Sequence, residues 1–175
     1  MRAEARGPAV FDSGPLIYLD VLGYLHALKG LHRVIIPEAV ARELEGHPGA
    51  PAGSAPALEW IHRQTPAVES VRRVVSQPPL LDAGERETIA LALEIGAEAT
   101  AVIDDRRGRR RARILEVPLT GTLGVLQALH RARLVNRSLA EDLDALGEAG
   151  MYLTEDLKRQ VMHRFDTGGA AQERK

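Results

Sequence analysis

Cysteine is absent from this chain of 175 residues. The lack of thiols excludes a disulfide scaffold, cysteine-ligated zinc, iron–sulfur clusters and thiol catalysis, and it is typical of the reducing cytoplasm. Long apolar runs are also missing, since none approaches the ~20 residues that span a bilayer. Residues 1–8 are not followed by the apolar segment of a secretory signal. We therefore expect a cytoplasmic protein without a membrane span.

Several motifs of nucleotide and hydrolase chemistry are missing as well. The sequence has no Walker A loop, no G-x-G-x-x-G fingerprint and no G-x-S-x-G elbow, and its histidines have no metal-ligand spacing. These absences remove the usual support for a nucleoside triphosphatase, a dinucleotide enzyme, a serine hydrolase or a histidine-ligated metal site.

An excess of charge of one sign is missing too, but the balance is uneven along the chain. The 23 basic and 24 acidic residues give a net charge of -1, which predicts no general attraction to nucleic acid. Six arginines nevertheless lie between Arg106 and Arg113. A near-neutral sum can therefore hide a polarised surface.

The hydrophobic pattern predicts one α/β domain. Short apolar runs of strand type alternate with segments of helical spacing, which predicts a parallel sheet covered on both faces. We expect strands at 9–11, 34–36, 68–75, 101–103 and 117–119, a short helix at 58–62, and an exposed loop at 47–56. The predicted organisation is an α/β domain over 1–135, a helical extension over 136–166 and a disordered tail over 167–175. Thr154 is the expected N-cap of the last helix.

Acidic residues follow two of the predicted strands directly. Asp12 leaves the first strand, and Asp104 and Asp105 leave a later one, so they are expected at the carboxyl edge of the sheet, where ligands bind. Two helices add the carboxylates of Glu43, Glu85 and Glu87 near the same edge. Such a cluster repels itself unless a cation lies within it, and oxygen-only ligands suit Mg²⁺ or Mn²⁺. The reaction class that this chemistry favours is phosphodiester hydrolysis.

Each of these acids also has a purely structural explanation. Asp12, and either Asp104 or Asp105, can cap the helix that follows it. An acid in a first helical turn, as at Glu85, is stabilised by the helix dipole, and Glu43 on an exposed helix face needs no special explanation. The functional hypothesis therefore rests on their joint placement.

The arginine segment has two interpretations of the same kind. A solvated and partly ion-paired helix face is one, and a surface that holds nucleic-acid phosphates beside the acids is the other. A turn with two threonine hydroxyls, at another strand-to-helix junction, offers hydroxyl and N–H groups to an anion or simply caps a helix. The candidate nucleic-acid-binding residues are Ser13, Arg106, Arg107, Arg109, Arg110, Thr120 and Thr122.

Taken in order, the acidic segments resemble those of the PIN-domain family. Residues 10–16 are similar to its opening strand and acid, 37–44 to its second segment, and 82–92 to the Gly-Glu form of its third. The resemblance places metal-site acids at Asp12, Glu43 and Glu85, with Asp104 as the first choice for the fourth and Asp105 as the alternative. The Gly-Thr-Leu-Gly segment from residue 121 and the helical C-terminus resemble a VapC-like prokaryotic subgroup.

This resemblance implies a three-layer α/β/α sandwich with a central parallel sheet. It also implies a ribonuclease dependent on Mg²⁺ or Mn²⁺, and in many members a homodimeric toxin with an antitoxin partner. The extension would then pack on the domain or lie at a dimer interface, with core packing the preferred expectation. A glutamate at the third acid, Glu85, and a longer tail depart from the toxin pattern.

Three functional hypotheses follow from the sequence. The first is an endoribonuclease that prefers single strands, in which Asp12, Glu43, Glu85 and Asp104 hold one or two divalent ions. The second is a module of the same fold that binds RNA or protein with little or no nuclease activity. The third is a phosphoacceptor receiver domain, which is disfavoured because its acidic pair should follow the first strand.

Overall fold

The computed structural model describes residues 6–46, 58–75 and 80–170. Its sheet is entirely parallel and has the strand order β3-β2-β1-β4-β5. The strands are β1 (Arg6–Phe11), β2 (His32–Pro37), β3 (His62–Gln64), β4 (Thr100–Val102) and β5 (Leu119–Thr120). The helices are α1 (Ser13–Val21), α2 (Glu38–Glu45), α3 (Val68–Val75), α4 (Ala83–Ile95), α5 (Arg106–Ile114), α6 (Thr122–Arg131), α7 (Leu139–Glu148) and α8 (Glu155–Ala170), with a 3-10 helix at Leu25–Gly30.

Both faces of the sheet are buried, because successive strand residues point to opposite sides. In β1, Phe11 packs against α1, α2 and α6 on one face, whereas Val10 packs against α3, α4 and α5 on the other. Ile36 and Ile35 divide between the two faces in the same way in β2. The three-layer α/β/α sandwich is thus confirmed. Among the residues described, no helix is long and apolar enough to cross a membrane.

The C-terminal helices pack on the sandwich through their own apolar cluster. Leu143 and Leu146 of α7 and Val161 of α8 contact Leu126 of α6 and Leu22 after α1. The Thr154 side chain caps α8, as predicted, by accepting the N–H of residue 157 at 3.2 Å. The helical extension is therefore part of the folded core of this chain.

Three predicted elements were wrong in type or extent. Residues 68–75 form helix α3 rather than a strand, because Val71 and Val74, three residues apart, face the core while Val68 and Val75 stay exposed. Residues 58–62 form a turn that leads into β3 instead of a short helix. Helix α8 continues to Ala170, so residues 167–170 do not belong to a disordered tail. The predicted loop at 47–56 and residues 171–175 lie outside the described ranges.

A buried carboxylate joins the extension to the domain. Asp142 of α7 is fully buried and accepts hydrogen bonds from the Tyr24 hydroxyl at 2.9 Å and from Nε2 of His130 at 2.8 Å. Nε of Arg137 lies 3.0 Å from the same carboxylate, and its guanidinium stacks on the Tyr24 ring. These contacts tie α7 to α6 and to the segment after α1.

Loss of this carboxylate should destabilise the whole protein. Asp142→Ala leaves the buried His130 ring and the Tyr24 hydroxyl without their acceptor, so we expect a fall of about 1–3 kcal/mol in the free energy of unfolding. Asp144→Ala, on the same helix, removes an exposed ion pair with Lys158 and should change it by less than about 1 kcal/mol. Urea unfolding followed by circular dichroism measures both. Equal effects of the two substitutions would contradict the assignment.

Candidate active site

Two neighbouring strands end side by side at the carboxyl edge of the sheet. Phe11 of β1 is in register with Val102 of β4, and the Asp12 N–H donates to the Val102 carbonyl at 3.1 Å. Asp12 and the Asp104–Asp105 pair therefore leave the sheet from adjacent positions, as the sequence predicts.

Asp12 is buried and does not cap a helix. It precedes α1, yet its carboxylate makes no capping hydrogen bond, and the residue is only 8% exposed. Burial raises the pKa of Asp12 to about 7; the Ser13 N–H opposes this shift, and the charges of Asp82, Glu43 and Glu85 add to it. The capping explanation therefore does not account for this residue, and three other carboxylates lie within its electrostatic reach.

A glycine brings helix α4 against two of these acids. A Cβ on Gly84 would lie 2.9 Å from Oδ1 of Asp12 and 3.3 Å from Oε2 of Glu43. Both carboxylates therefore face the same turn of α4. Glu43 lies on an exposed part of α2, so its proximity to Asp12 is the feature that distinguishes it from an ordinary surface acid.

Glu85 combines a structural role with an unsatisfied oxygen. Its Oε2 accepts the Asp82 N–H at 3.0 Å and its own N–H donates to Oδ1 of Asp82 at 2.8 Å, which forms a capping box at the start of α4. Its Oε1 is buried and has no hydrogen-bond donor among the described residues. Burial raises the pKa of Glu85 to about 7, although the Asp82 N–H opposes the shift. The helix-start explanation thus covers only one of its two oxygens.

Asp105 lies against Glu85 and also caps α5. Burial favours a higher pKa, but hydrogen bonds from the N–H groups of Arg107, at 2.7 Å, and Gly108, at 3.4 Å, hold the pKa of Asp105 below its ordinary value. Because burial raises the pKa of Glu85, Glu85 is the weaker acid of the two neighbours.

Asp104 faces helix α6 instead. Its two oxygens accept from Thr122, one from the N–H at 2.9 Å and the other from the hydroxyl at 2.6 Å. The residue before this helix is Gly121, where a Cβ would lie 2.6 Å from Oδ1 of Asp104. Asp104 thus caps α6 from a distance. This geometry favours Asp105, the alternative, as the fourth acid of the site, while the role predicted for Asp104 stays a prediction.

Two further acids have identifiable roles: Asp82, which the sequence reasoning did not assign, and Glu87, which it placed near the same edge as Glu43 and Glu85. Asp82 adds its charge to the surroundings of Asp12 and Glu85. The Asp-x-x-Glu spacing of a capping box is the signal that could have placed it beside Glu85. Glu87 accepts the Ala39 N–H at 2.9 Å and so caps α2, which has no cap of its own.

The candidate nucleic-acid-binding residues divide into two groups. Arg106, Arg107 and Arg110 are exposed and make no ion pair within the described part of the chain. Arg109 is half-buried, and its Nη1 donates to the carbonyls of residues 103 and 120, at 2.7 and 3.0 Å. It therefore ties β4 to β5.

The hydroxyl residues of this prediction are not free surface groups either. Ser13 is buried at the start of α1, and the Thr122 hydroxyl is engaged by Asp104. Thr120 is half-buried, with Oγ1 directed at Gly124 of α6, where a Cβ would lie 2.1 Å away. Their predicted contacts with nucleic acid remain predictions.

The donor set fits a hard divalent cation in its chemistry. Asp12, Glu43, Glu85 and Asp105 offer only oxygen, and Glu85 keeps a buried oxygen that lacks a donor. Within residues 6–46, 58–75 and 80–170, no three His, Asp or Glu side chains are gathered tightly enough to form a ready-made metal site. The acids therefore share one region without already adopting a ligand geometry.

The close approach at Gly84 should be required for metal binding. In Gly84→Ala the added methyl group displaces the Asp12 carboxylate, so we expect a fall of about tenfold or more in Mn²⁺ affinity with the fold retained. Gly147→Ala is the matched control, because nothing lies within 4 Å of its Cβ position in α7. Isothermal titration with Mn²⁺ and circular dichroism measure the two properties. Unchanged Mn²⁺ affinity in Gly84→Ala would show that this contact is not needed.

The raised pKa values of Asp12 and Glu85, about 7 against 3.8 and 4.5, predict a pH-dependent stability without metal. The folded state holds protons that the unfolded state releases, so both groups lower stability as pH rises from about 4 to about 7. Asp12→Asn removes one of these groups and should gain stability relative to the wild type as pH rises through this window. Urea unfolding in chelator measures the difference. A difference that is independent of pH would contradict the burial argument.

Comparison with known proteins identifies the family. No curated protein and no solved structure was found to match the chain. A family model described as a PIN domain matches residues 8–167, which leaves no support for a receiver domain. The match does not distinguish the VapC-like subgroup. PIN domains are commonly metal-dependent nucleases, and the family generally uses divalent metals. With its parallel sheet and the acids at the carboxyl edge, the chain belongs to the PIN-domain family.

Proposed function

We propose that this protein is a divalent-metal-dependent endoribonuclease. The observation that carries the proposal is the Asp12 carboxylate, which is buried without a capping bond and lies beside Glu43 and near Glu85. A fold does not by itself need a buried carboxylate surrounded by others of the same charge. A bound cation would relieve the repulsion between these carboxylates. The divalent-metal chemistry that is usual in the family gives a functional reason for a buried carboxylate at this position.

Asp12, Glu43, Glu85 and Asp105 are the residues that would hold Mg²⁺ or Mn²⁺. When bound, such an ion lowers the pKa of a water ligand and neutralises charge on a phosphate. Burial raises the pKa of Glu85 to about 7, so an ion bound there would displace a proton from this carboxyl near neutral pH. Its Oε2 stays on the Asp82 N–H, so Oε1 is the oxygen available for the ion.

The surrounding residues orient the acids and receive the substrate. Thr122 fixes the Asp104 carboxylate, and Arg109 fixes the strand ends behind it. The exposed guanidinium groups of Arg106, Arg107 and Arg110 would bind RNA phosphates beside the acids. The toxin role, an antitoxin partner, a homodimer and a cytoplasmic location also stay proposals.

Substitutions at the acids test this proposal and separate Asp104 from Asp105. Asp12→Asn and Asp105→Asn should each reduce cleavage of a labelled single-stranded RNA in Mn²⁺ by ~100-fold or more, because each removes a ligand charge. Asp104→Asn should reduce it by less than ~10-fold, because an asparagine oxygen still accepts the Thr122 N–H. Circular dichroism confirms that each variant folds.

The contradicting outcomes are distinct. Cleavage by Asp12→Asn at the wild-type rate, after chelation and return of Mn²⁺, would exclude the metal site. If Asp104→Asn loses as much cleavage activity as Asp12→Asn, Asp104 rather than Asp105 is the fourth metal ligand. Wild-type protein that binds RNA but does not cleave it with either ion would favour the binding-module hypothesis.

A further inference from the structure

Helix α5 presents a row of arginines on the side opposite its buried face. Gly108, Arg111 and Ala112 face the protein interior. Arg106, Arg110 and Arg113 follow one another at spacings of four and three residues, which place side chains on one face of a helix, and all three are exposed. We call these three residues the α5 arginine row.

The row is free of the partners that occupy other arginines. Arg63 pairs with Glu38 and Glu45, and Arg111 donates to the carbonyls of residues 74 and 73 at 2.7 and 2.9 Å. No residue of the row makes an ion pair or a hydrogen bond through its side chain in the described ranges. Its three positive charges are therefore available to an external anion.

The row begins at the candidate active site. Asp105 is the N-cap of α5 and lies against Glu85, and Arg106 is the next residue. Over the seven residues to Arg113 a helix rises ~10 Å, which corresponds to about three phosphates at the ~3.4 Å spacing of a stacked strand. The positive charge thus extends outward from the acids along one line.

We propose that the α5 arginine row binds the phosphate backbone of single-stranded nucleic acid and directs one strand to the acids. This inference rests on the proposed nuclease function. A single line of guanidinium groups fits one line of phosphates, and α5 carries no aromatic residue on which bases could stack. Binding along the row is therefore set by charge and not by base sequence. Arg113 belongs to the row, whereas Arg109, which the sequence suggested, does not.

The salt dependence of binding tests this proposal without any cleavage. The full-length Asp12→Asn variant, in chelator, is titrated with labelled oligouridine and oligoadenosine, and anisotropy gives the affinity over a series of salt concentrations. Each phosphate contact on a single strand contributes about 0.7 to the slope of log affinity against log salt. Adding R106Q, R110Q and R113Q should therefore lower that slope by about 2 and weaken binding at least ~10-fold at low salt.

The matched control changes the same charge elsewhere. Arg33, Arg133 and Arg164 are exposed and make no ion pair among the described residues; Arg33 lies in the first half of β2 and Arg133 follows the end of α6. Adding R33Q, R133Q and R164Q to Asp12→Asn should leave the slope within about 0.5 of its value. Oligouridine and oligoadenosine should bind with similar affinity.

Each other result decides against part of the account. Equal losses of affinity in the two triple variants would show that overall positive charge, and not the row, binds the strand. An unchanged salt slope in the row variant would exclude the row as a binding site. Tighter binding of a duplex of the same length would overturn the single-strand assignment. If the row variant loses RNA affinity but the wild-type protein never cleaves RNA, the binding role of the row is supported and the nuclease proposal is rejected. If the wild-type protein cleaves RNA but the row variant binds it normally, the nuclease proposal is supported and the binding role of the row is rejected.

Discussion

The starts of helices α4, α5 and α6 lie so close to the acids at the carboxyl edge of the sheet that only glycine fits at the points of contact. The rest of the site depends on this close approach. Each helix has a glycine at or next to its first turn: Gly84, Gly108 and Gly121. A Cβ at these positions would lie 2.9 Å from an oxygen of Asp12, 2.9 Å from one of Glu85 and 2.6 Å from one of Asp104. Asp12 and Glu85 are thus buried against helix starts, and Asp104 is half-buried.

Enclosure has an electrostatic consequence that links stability to function. Removing a carboxylate from water disfavours its charged form, so the pKa values of Asp12 and Glu85 rise to about 7. A divalent cation at these carboxylates would therefore compete with protons near neutral pH. Burying these carboxylates is unfavourable, and packing elsewhere in the sandwich offsets it. The two apolar layers and the hydrogen bonds of Asp142 hold in place the helices that surround the acids.

The sequence predicts this arrangement down to the level of elements and most acids. Alternation of apolar runs indicates the parallel sheet, and the order of the acidic segments places Asp12, Glu43 and Glu85 near one edge. The valines at 68, 71, 74 and 75 have helical spacing, but a short segment rich in β-branched residues also favours a strand, so 68–75 was assigned to the wrong type. The burial of Val71 and Val74 on one helix face agrees with the spacing.

Side-chain roles that depend on distant backbone could not be predicted. Asp104 and Asp105 are adjacent acids after one strand, and their difference arises from Thr122, 18 residues along the chain from Asp104. Arg109 is set apart from its arginine neighbours by carbonyls at the ends of two strands, which no local pattern records. Tertiary contacts therefore determine which of several similar residues is available to a ligand.

The most direct measurement of the central claim is anomalous diffraction from a crystal of the full-length protein soaked in Mn²⁺. The account predicts an anomalous peak at the carboxyl edge of the sheet, within ligand distance of oxygens of Asp12 and Glu85, and loss of that peak in Asp12→Asn. A peak elsewhere, or an ion held by Asp104 without Asp12, would contradict it. An intact crystal with no bound Mn²⁺ at saturating concentration would contradict it as well.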